Sequence, residues 1–354
     1  MIKRSILYLQ RIVLTFLLIN VLAFSCFNVL TFPHSAVLTS LRFNVLTFSR
    51  FNLSTSPVYA LEQGGQDIAI LKLGVGARAL GVGSAFTAIA DTADAPAWNA
   101  AGLGFIDFSS ATTMQTKLST DANYYYVSYV QPIELKGVND NELKRDLGTI
   151  GISWIQIGLG NIANTASGVD RYNEVTTIGN FNYAANAYML AYGKSLNDKL
   201  SLGVTAKYLT SDMYSISGGS AYGYSISPAL LFKATERVSA GLVLHEMVNA
   251  QKWGTDTVET VPSKLKLGVA FRLPAGLIFS SDFAQQLKSA YSPTASFGLE
   301  WGYKTLAFRA GNDEGALTGG FGFRIERVGF DYAYVSQSAM SKDNVHRLSL
   351  SGYW

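Results

Sequence analysis

Cysteine and histidine are scarce in this 354-residue chain, which has one cysteine and three histidines. Cys26 follows Ala23-Phe24-Ser25, a poor lipoprotein signal, and it falls in an apolar N-terminal region. We therefore expect no disulfide, thiolate nucleophile or cysteine-bound metal in the folded protein. The histidines His34, His245 and His346 are scattered, and no HExxH motif, acidic cluster or nucleophile elbow occurs. The sequence predicts no catalytic residue, no metal and no cofactor.

Charged residues are also few, at 15% of the chain, whereas hydrophobic residues make up 48%. About a quarter of the residues in a typical soluble domain are charged. The formal net charge is +3, but residues 1–60 hold five basic residues and no acidic one. The rest of the chain holds 23 basic and 25 acidic residues. Nucleic-acid binding therefore has no electrostatic support.

Residues 1–60 have the order of parts found in a secretory leader. Lys3 and Arg4 precede a stretch from Ile12 to Phe32 that contains no charge. This stretch is long enough to cross a bilayer as a helix, so an uncleaved membrane anchor is the rival interpretation. Small residues in Val58-Tyr59-Ala60 predict cleavage after Ala60.

From about Phe108 onward, apolar residues recur with a period of two, which predicts strands with one apolar face. A soluble sandwich would bury that face in a core, whereas a membrane barrel turns it to lipid. We predict fourteen strands, an even number as in bacterial barrels. They lie near 108–115, 123–131, 148–157, 183–195, 200–210, 221–233, 237–246, 263–273, 277–284, 293–303, 305–311, 318–325, 327–336 and 345–354.

The connections between these strands alternate between short and long, as in outer-membrane barrels with short periplasmic turns and longer outer loops. The main predicted outer loops are Gly158–Asn182 and Met247–Pro262. The charged segment Pro132–Leu147 breaks the alternation, and it is either a periplasmic insertion or a miscounted strand.

Aromatic residues near the strand ends are interpreted as interfacial girdles, with ordinary aromatic strand residues as the alternative. Examples are Tyr124, Tyr126, Trp154, Tyr192, Trp301 and Tyr332. The chain ends at Trp354, which resembles the C-terminal signal that barrel-assembly machinery recognises.

One glycine-rich stretch matches a nucleotide-binding pattern. Gly74, Gly76 and Ala79 fit GxGxxA, and Asp94 follows at about the distance of a ribose-binding acid. That site needs an uninterrupted helix after the last small residue, but Gly81 and Gly83 interrupt it. We therefore expect no dinucleotide site here.

The same stretch, LGVGARALGVGSAF from Leu73 to Phe86, is followed by AIAD and then AWNAAGL. Together these segments resemble the N-terminal signature of the PorV/PorQ family, and the resemblance covers about residues 66–354. It implies a FadL-like barrel of fourteen strands with an N-terminal plug, and a role in type IX secretion. The family has Asn-Pro-Ala where this chain has Asn99-Ala100-Ala101, which puts the detailed geometry of the plug turn in doubt.

The chain is accordingly divided into a leader (1–60), a plug with short helices (61–107) and an all-β transmembrane barrel (108–354). Asp94 is expected to cap a short helix that Gly102 ends. The candidate plug residues are Gly74, Gly76, Arg78, Gly81, Gly83, Asp94, Trp98, Asn99 and Gly102. Arg78 and Trp98 either only hold the plug shut or also contact something that passes through it.

Several charges on the strands are predicted to face the barrel interior. Glu300 and Arg309 flank one tight turn, so they are expected to pair. The full set is Lys207, Arg272, Glu300, Arg309, Arg324 and Asp331. Arg324 and Asp331 are expected to extend this polar wall, either as an ion-pair network or as a guide for substrate. His245 is interpreted as a polar interior residue, with a wall-bound Ser-His hydrolase as the rival.

The sequence thus predicts a non-enzymatic outer-membrane barrel in contact with lipid and assembled by the barrel machinery. The resemblance implies that it carries or anchors exported proteins, with secretion-system proteins and cargo as partners. The alternative is a FadL-like channel for a hydrophobic ligand, and a third possibility is a structural or antigenic surface role.

Overall fold

The computed structural model describes residues 69–118, 121–135, 145–165, 174–287, 292–336 and 344–354. The predicted leader, its cleavage site and Cys26 lie outside these residues. Within the described part of the chain, no helix is long and apolar enough to cross a bilayer.

The wall of the molecule is one antiparallel sheet closed on itself. Its segments are β1 (Ser110–Lys117), β2 (Asn123–Leu135), β3 (Arg145–Thr165), β4 (Thr177–Ser195), β5 (Leu200–Met213), β6 (Ser220–Thr235), β7 (Val238–His245), β8 (Val248–Trp253), β9 (Val258–Glu259), β10 (Lys264–Leu273), β11 (Leu277–Gln286), β12 (Thr294–Tyr303), β13 (Leu306–Asp313), β14 (Ala316–Ile325), β15 (Val328–Val335) and β16 (Val345–Tyr353). The barrel is closed because β1 pairs with β2 along one edge and with β16 along the other.

These sixteen segments occupy fourteen positions in the wall. Both β7 and β8 pair with β6, so together they form one interrupted wall strand. On the next position, β10 pairs with β7 and β9 pairs with β8, which makes a second interrupted strand. The predicted fourteen-stranded antiparallel barrel is confirmed.

The period-two pattern sets which side chains face outward. In β5, Leu202 and Tyr208 are 44% and 51% exposed, whereas Ser201, Thr205 and Lys207 are buried in the interior. An apolar outer face and a small or polar inner face suit a wall that separates lipid from a filled lumen.

Two predicted loops are wrong in part, because the strands extend further than the apolar pattern. β3 has 21 residues and β4 has 19, so they include most of Gly158–Asn182. Met247–Pro262 contains β8 and β9. The main-chain pairing of these strands continues beyond the residues that carry an apolar face. Strand ends predicted from the apolar pattern therefore come too early. The ends of Pro132–Leu147 likewise belong to β2 and β3, and its middle lies outside the described residues.

The lumen holds the chain that precedes β1. This plug has helices α1 (Ala69–Lys72), α2 (Ala77–Gly81) and α3 (Ala95–Trp98), followed by a 3₁₀ helix (Ala100–Phe105). A second 3₁₀ turn (Pro274–Gly276) joins β10 to β11. We call the barrel end with the tight turns at 196–199, 274–276, 304–305 and 326–327 the turn end, and the opposite one the loop end. The predicted plug residues 61–68 lie outside the described chain.

Candidate functional site: the plugged lumen

The plug crosses the lumen from the loop end to the turn end. Near the loop end, the Tyr124 hydroxyl donates to the carbonyl oxygens of Ile70 (3.3 Å) and Gly74 (3.1 Å). Near the turn end, the Thr149 hydroxyl donates to the carbonyl oxygen of Ile106 at 3.2 Å. Plug carbonyls that no helix satisfies are thus bonded by hydroxyl groups of the wall, as buried backbone requires.

Tyr124 and Tyr126 were expected at the membrane interface, and that expectation is wrong. Both are fully buried and face the lumen. Tyr126 donates to the carbonyl oxygen of Ala93 at 3.4 Å, and Ser128 donates to the same oxygen at 2.6 Å. An aromatic ring with a hydroxyl tip reaches across to the plug while its ring fills apolar space.

Glycines on the inner face of the wall let the plug backbone lie directly against the strands. A Cβ atom at each of these positions would come within 2.2 to 2.9 Å of a plug backbone atom: Gly193, Gly203, Gly241, Gly268, Gly298 and Gly311. Contacts this close admit hydrogen only. The wall and the plug are therefore fitted to each other along the middle of the barrel.

Two of the predicted plug glycines need a left-handed backbone as well as space. Gly76 has φ 77°, and a Cβ atom there would lie 2.6 Å from the carboxyl carbon of Asp94. Gly83 has φ 65°, and its Cβ would lie 2.5 Å from the carbonyl oxygen of Phe297. The prediction that glycines let this segment pack compactly agrees with that geometry. Whether they serve a function beyond packing stays a prediction.

A chain of five alternating charges joins plug and wall. Arg78 donates to Asp91 at 2.6 Å and to both oxygens of Glu300 at 2.9 Å. Glu300 also accepts a hydrogen bond from Arg309 at 2.7 Å, and Arg309 donates to Asp331 at 2.7 Å. The expected Glu300–Arg309 pair is present. Three carboxylates around two guanidinium groups leave each ion paired, as burial requires.

The other predicted interior charges do not join this chain. Arg324 is exposed at the turn end, where its guanidinium lies 4.0 Å from the centroid of the Tyr353 ring. The expectation that Arg324 extends the polar wall is therefore wrong, because its strand position is already at the mouth. Arg272 donates to Ser239 at 3.1 Å, and Lys207 pairs with Glu246 at 2.5 Å.

Asp94 does not cap its helix, which corrects the sequence-based assignment. It occupies the position before α3, but its side chain makes no capping bond and instead accepts from Thr92 at 3.1 Å. Its Oδ1 atom is buried without a hydrogen-bond partner in the described chain. Burial in the plug raises the pKa of Asp94 from 3.8 to about 7, against the lowering effect of the Thr92 hydrogen bond.

Asn99 and Trp98 fix the end of α3. The Asn99 carbonyl oxygen Oδ1 accepts from the Ala101 N–H, so Asn99 caps the following 3₁₀ helix. Its Nδ2 donates to Thr87 in the plug and to Leu230 in the wall, at 2.7 and 3.2 Å. Gly102 lies within the 3₁₀ helix and does not end α3, which is a second correction. Trp98 donates to the Val75 carbonyl oxygen at 3.0 Å.

The wall is irregular where β7 gives way to β8. Ala229 pairs with Val243 and Ile226 with Val248, so two residues of β6 face four of the neighbouring strand. Pro228 is one of the two, and it has no N–H to donate. Such a bulge turns one side chain out of the regular alternation. Here Glu246, with φ 55°, turns inward.

Side chains replace the missing main-chain pairing around this bulge. Glu246 is bonded to Lys207 and to the Ser225 hydroxyl. Asn249 accepts from the Val261 N–H at 2.7 Å and donates to the Val261 carbonyl oxygen at 2.9 Å. We call Glu246, Asn249 and their partners Lys207, Ser225 and Val261 the bulge cluster. It was not predicted, because a bulge leaves no signal in a period-two pattern.

Two small cavities lie between the plug and the wall. One of about 60 Å³ near the turn end is bordered by Asp91, Phe105, Lys233 and Arg272. The other, of about 10 Å³, lies beside the bulge cluster and is bordered by Pro96, Lys207 and His245. His245 thus faces the interior, as predicted. Drug-sized ligands occupy about 300 to 1,000 Å³, so neither cavity holds one without movement of the plug.

Comparisons with known proteins show the fold. Among solved structures, the toluene transporter TodX of Pseudomonas putida is 13% identical, with a TM-score of 0.55, over 80% of this chain and 99% of that chain. A TodX ΔS2S3 mutant, described as a monoaromatic hydrocarbon channel, is 13% identical, with a TM-score of 0.53, over 79% and 97%. No protein-family profile and no curated protein sequence matches the chain. These likenesses show the fold alone, a closed antiparallel barrel of fourteen strands, and membership of the PorV/PorQ family stays a prediction.

Proposed function

We propose that this chain is an outer-membrane barrel that passes an apolar small molecule across the membrane. The structures it resembles are described as a toluene transporter and a monoaromatic hydrocarbon channel. Its outward face is apolar and its interior holds a plug, so it meets lipid on one side and closes the pore on the other. This function was the alternative to secretion in the sequence analysis.

The bulge between β7 and β8 is the observation that carries the proposal. A molecule cannot pass straight through a lumen in which wall glycines lie against plug backbone. The wall is weakest where side chains replace main-chain bonds, and a cavity lies directly behind that point. An apolar molecule would leave the lumen sideways there, once the plug as a whole shifts and carries the segment around Pro96 with it.

The test is uptake of labelled toluene by cells that lack other barrels of this fold. The Ala77 N–H donates to the Ser349 hydroxyl at 2.9 Å, so an A77C/S349C pair in a C26S background places two thiols across plug and wall. Oxidation should abolish uptake and reduction should restore it. The single variants A77C and S349C are the matched controls. Uptake that continues through the oxidised barrel would contradict the proposal.

Secretion remains a second candidate because of the hairpin formed by β3 and β4. A membrane strand needs about 9 to 11 residues to cross the bilayer. With 21 and 19 residues, these two strands extend well beyond the membrane. The side chains of their outer parts, 160–165 and 177–182, are exposed or half-buried, which suits contact with an exported protein.

The two candidates respond differently to the same changes. The oxidised A77C/S349C barrel should still hold a cargo protein at the cell surface if its function is secretion. Deleting residues 160–181 should then release that cargo, whereas toluene uptake should survive the deletion. Copurification in mild detergent, followed by identification of bound protein, reads out the cargo directly.

A further inference from the structure

Arg347 is a buried cation that has no ion-pair partner in the described part of the chain. It lies on β16, is 2% exposed and is among the largest fully buried side chains of the molecule. Its Nε and Nη1 atoms are buried and have no hydrogen-bond acceptor among the described residues. No carboxylate of those residues lies within 4 Å of it.

Its surroundings do not compensate the charge. Arg347 pairs across the sheet with Ala333, and the inward side chains beside it include Val345 and Met114, all buried. The ring centroid of Tyr124 lies 5.6 Å from the guanidinium carbon. The negative charge of Asp313 also attracts Arg347, but from more than 4 Å away. Both Asp313 oxygens accept hydrogen bonds from serine hydroxyls, Oδ2 from Ser84 and Oδ1 from Ser296.

The guanidinium group does not avoid the cost of burial by losing its proton, because arginine stays charged in proteins. The desolvation free energy of a buried ion without a counter-charge is far larger than the stabilisation that a cation–π contact with an aromatic ring provides. Three other interior cations described above, Arg78, Arg309 and Lys207, are each paired with a carboxylate. Arg347 therefore needs a counter-charge, and the described residues of the chain do not provide one.

We propose that Arg347 holds a small monovalent anion of the size of chloride between plug and wall. The ion is expected to be small because Arg347 is only 2% exposed and neither of the two cavities described above is bordered by it. The site adjoins Tyr124, which bonds α1 of the plug, so the anion stabilises the loop end of the plug. This site does not rest on the proposed transport function.

The test compares the urea unfolding of the purified barrel in sodium chloride and in sodium gluconate of equal ionic strength. When chloride is about ten times its Kd, the folding equilibrium constant should rise about tenfold over gluconate. The R347M variant should lose this difference. The R324M variant, which removes an exposed arginine at the turn end, should keep it. Equal stability of the wild-type protein in both salts would overturn the proposal.

A second measurement does not depend on whether R347M folds. Crystals of the wild-type barrel soaked in sodium bromide should show anomalous scattering beside the Arg347 guanidinium. Bromide found only at surface positions would overturn the proposal. Glu62 and Asp67 lie upstream of the described plug. If salt dependence appears only in E62Q or D67N, a carboxylate of this chain is the counter-ion and the proposal fails.

Discussion

Arg78 binds Glu300 through two parallel hydrogen bonds, each 2.9 Å long, that join the plug to β12. The R78M variant removes this link and leaves Asp91 without its partner, while Glu300 keeps Arg309. The E300Q variant leaves two guanidinium groups facing a neutral amide. Breaking a buried ion pair from one side costs about 3 to 5 kcal/mol, so we expect a loss of this order for E300Q and a smaller one for R78M.

Urea unfolding of the refolded barrel, followed by tryptophan fluorescence, measures both losses. The matched control is R324Q, whose exposed guanidinium lies over the half-buried Tyr353 ring at 4.0 Å. We expect R324Q to change the free energy of unfolding by at most about 1 kcal/mol. Equal losses in E300Q and R324Q would show that the charge chain is not what holds the plug.

Replacing Gly76 by valine should impair barrel assembly. The new Cβ would lie 2.6 Å from the Asp94 carboxyl carbon, at a φ of 77° that valine disfavours. Left-handed backbone costs about 1 to 2 kcal/mol, and overpacking about 1 to 3 kcal/mol more. The control is G158A, since a Cβ at Gly158 contacts nothing within 4 Å. Heat-modifiable mobility on gels reports folding, and normal assembly of G76V would refute the expectation.

Stability should fall as pH rises through the titration of Asp94. Burial in the plug raises the pKa of this carboxyl from 3.8 to about 7, so the folded state disfavours its charged form. The stability that Asp94 contributes is complete below pH of about 4, declines between about 4 and 7, and is lost above about 8. The difference in unfolding free energy between wild type and D94N should follow this curve.

The control for that titration is D121N, because Asp121 is 82% exposed in the turn between β1 and β2. D121N should keep the wild-type pH dependence over the same interval. If D94N and wild type stay parallel from pH 4 to pH 8, the buried carboxyl does not titrate as stated.

Removing the Tyr124 hydroxyl should loosen the first turn of the plug. The Y124F variant leaves the carbonyl oxygens of Ile70 and Gly74 without that donor, at a cost of about 1 to 3 kcal/mol. Hydrogen exchange of residues 70–76 should accelerate. Y125F changes the neighbouring side chain, which points the other way in β2, and should leave exchange unchanged. Equal exchange in both variants would show that this anchor is dispensable.

The Glu300–Arg309 pair illustrates what strand periodicity alone predicts. The two residues flank one tight turn, so the period of two places them opposite each other on the same face. Arg78 could not be assigned to Glu300 in this way, since 222 residues separate them. That contact depends on how the plug lies once the barrel has closed.

Three residues show what the sequence pattern does not predict: Tyr124, Asp94 and Glu246. The alternation of side chains along β2 places Tyr124 and Tyr126 on one face. That this face points into the lumen is explained only by the plug carbonyl oxygens that accept hydrogen bonds from the two hydroxyl groups. Asp94 precedes a helix, as capping residues do, yet its carboxyl packs against Gly76. Glu246 turns inward because of a bulge that the residue pattern does not predict.

The sequence by itself determined the wall, because the alternation of apolar and small residues is local and each strand carries it independently. It also placed a compact glycine-rich segment before the first strand. Only the tertiary structure decided which wall groups bond the plug, where the wall is interrupted, and that Arg347 is buried without a partner among the described residues. Those features arise between residues far apart in the chain, since closure of the barrel brings all fourteen inner faces around one segment.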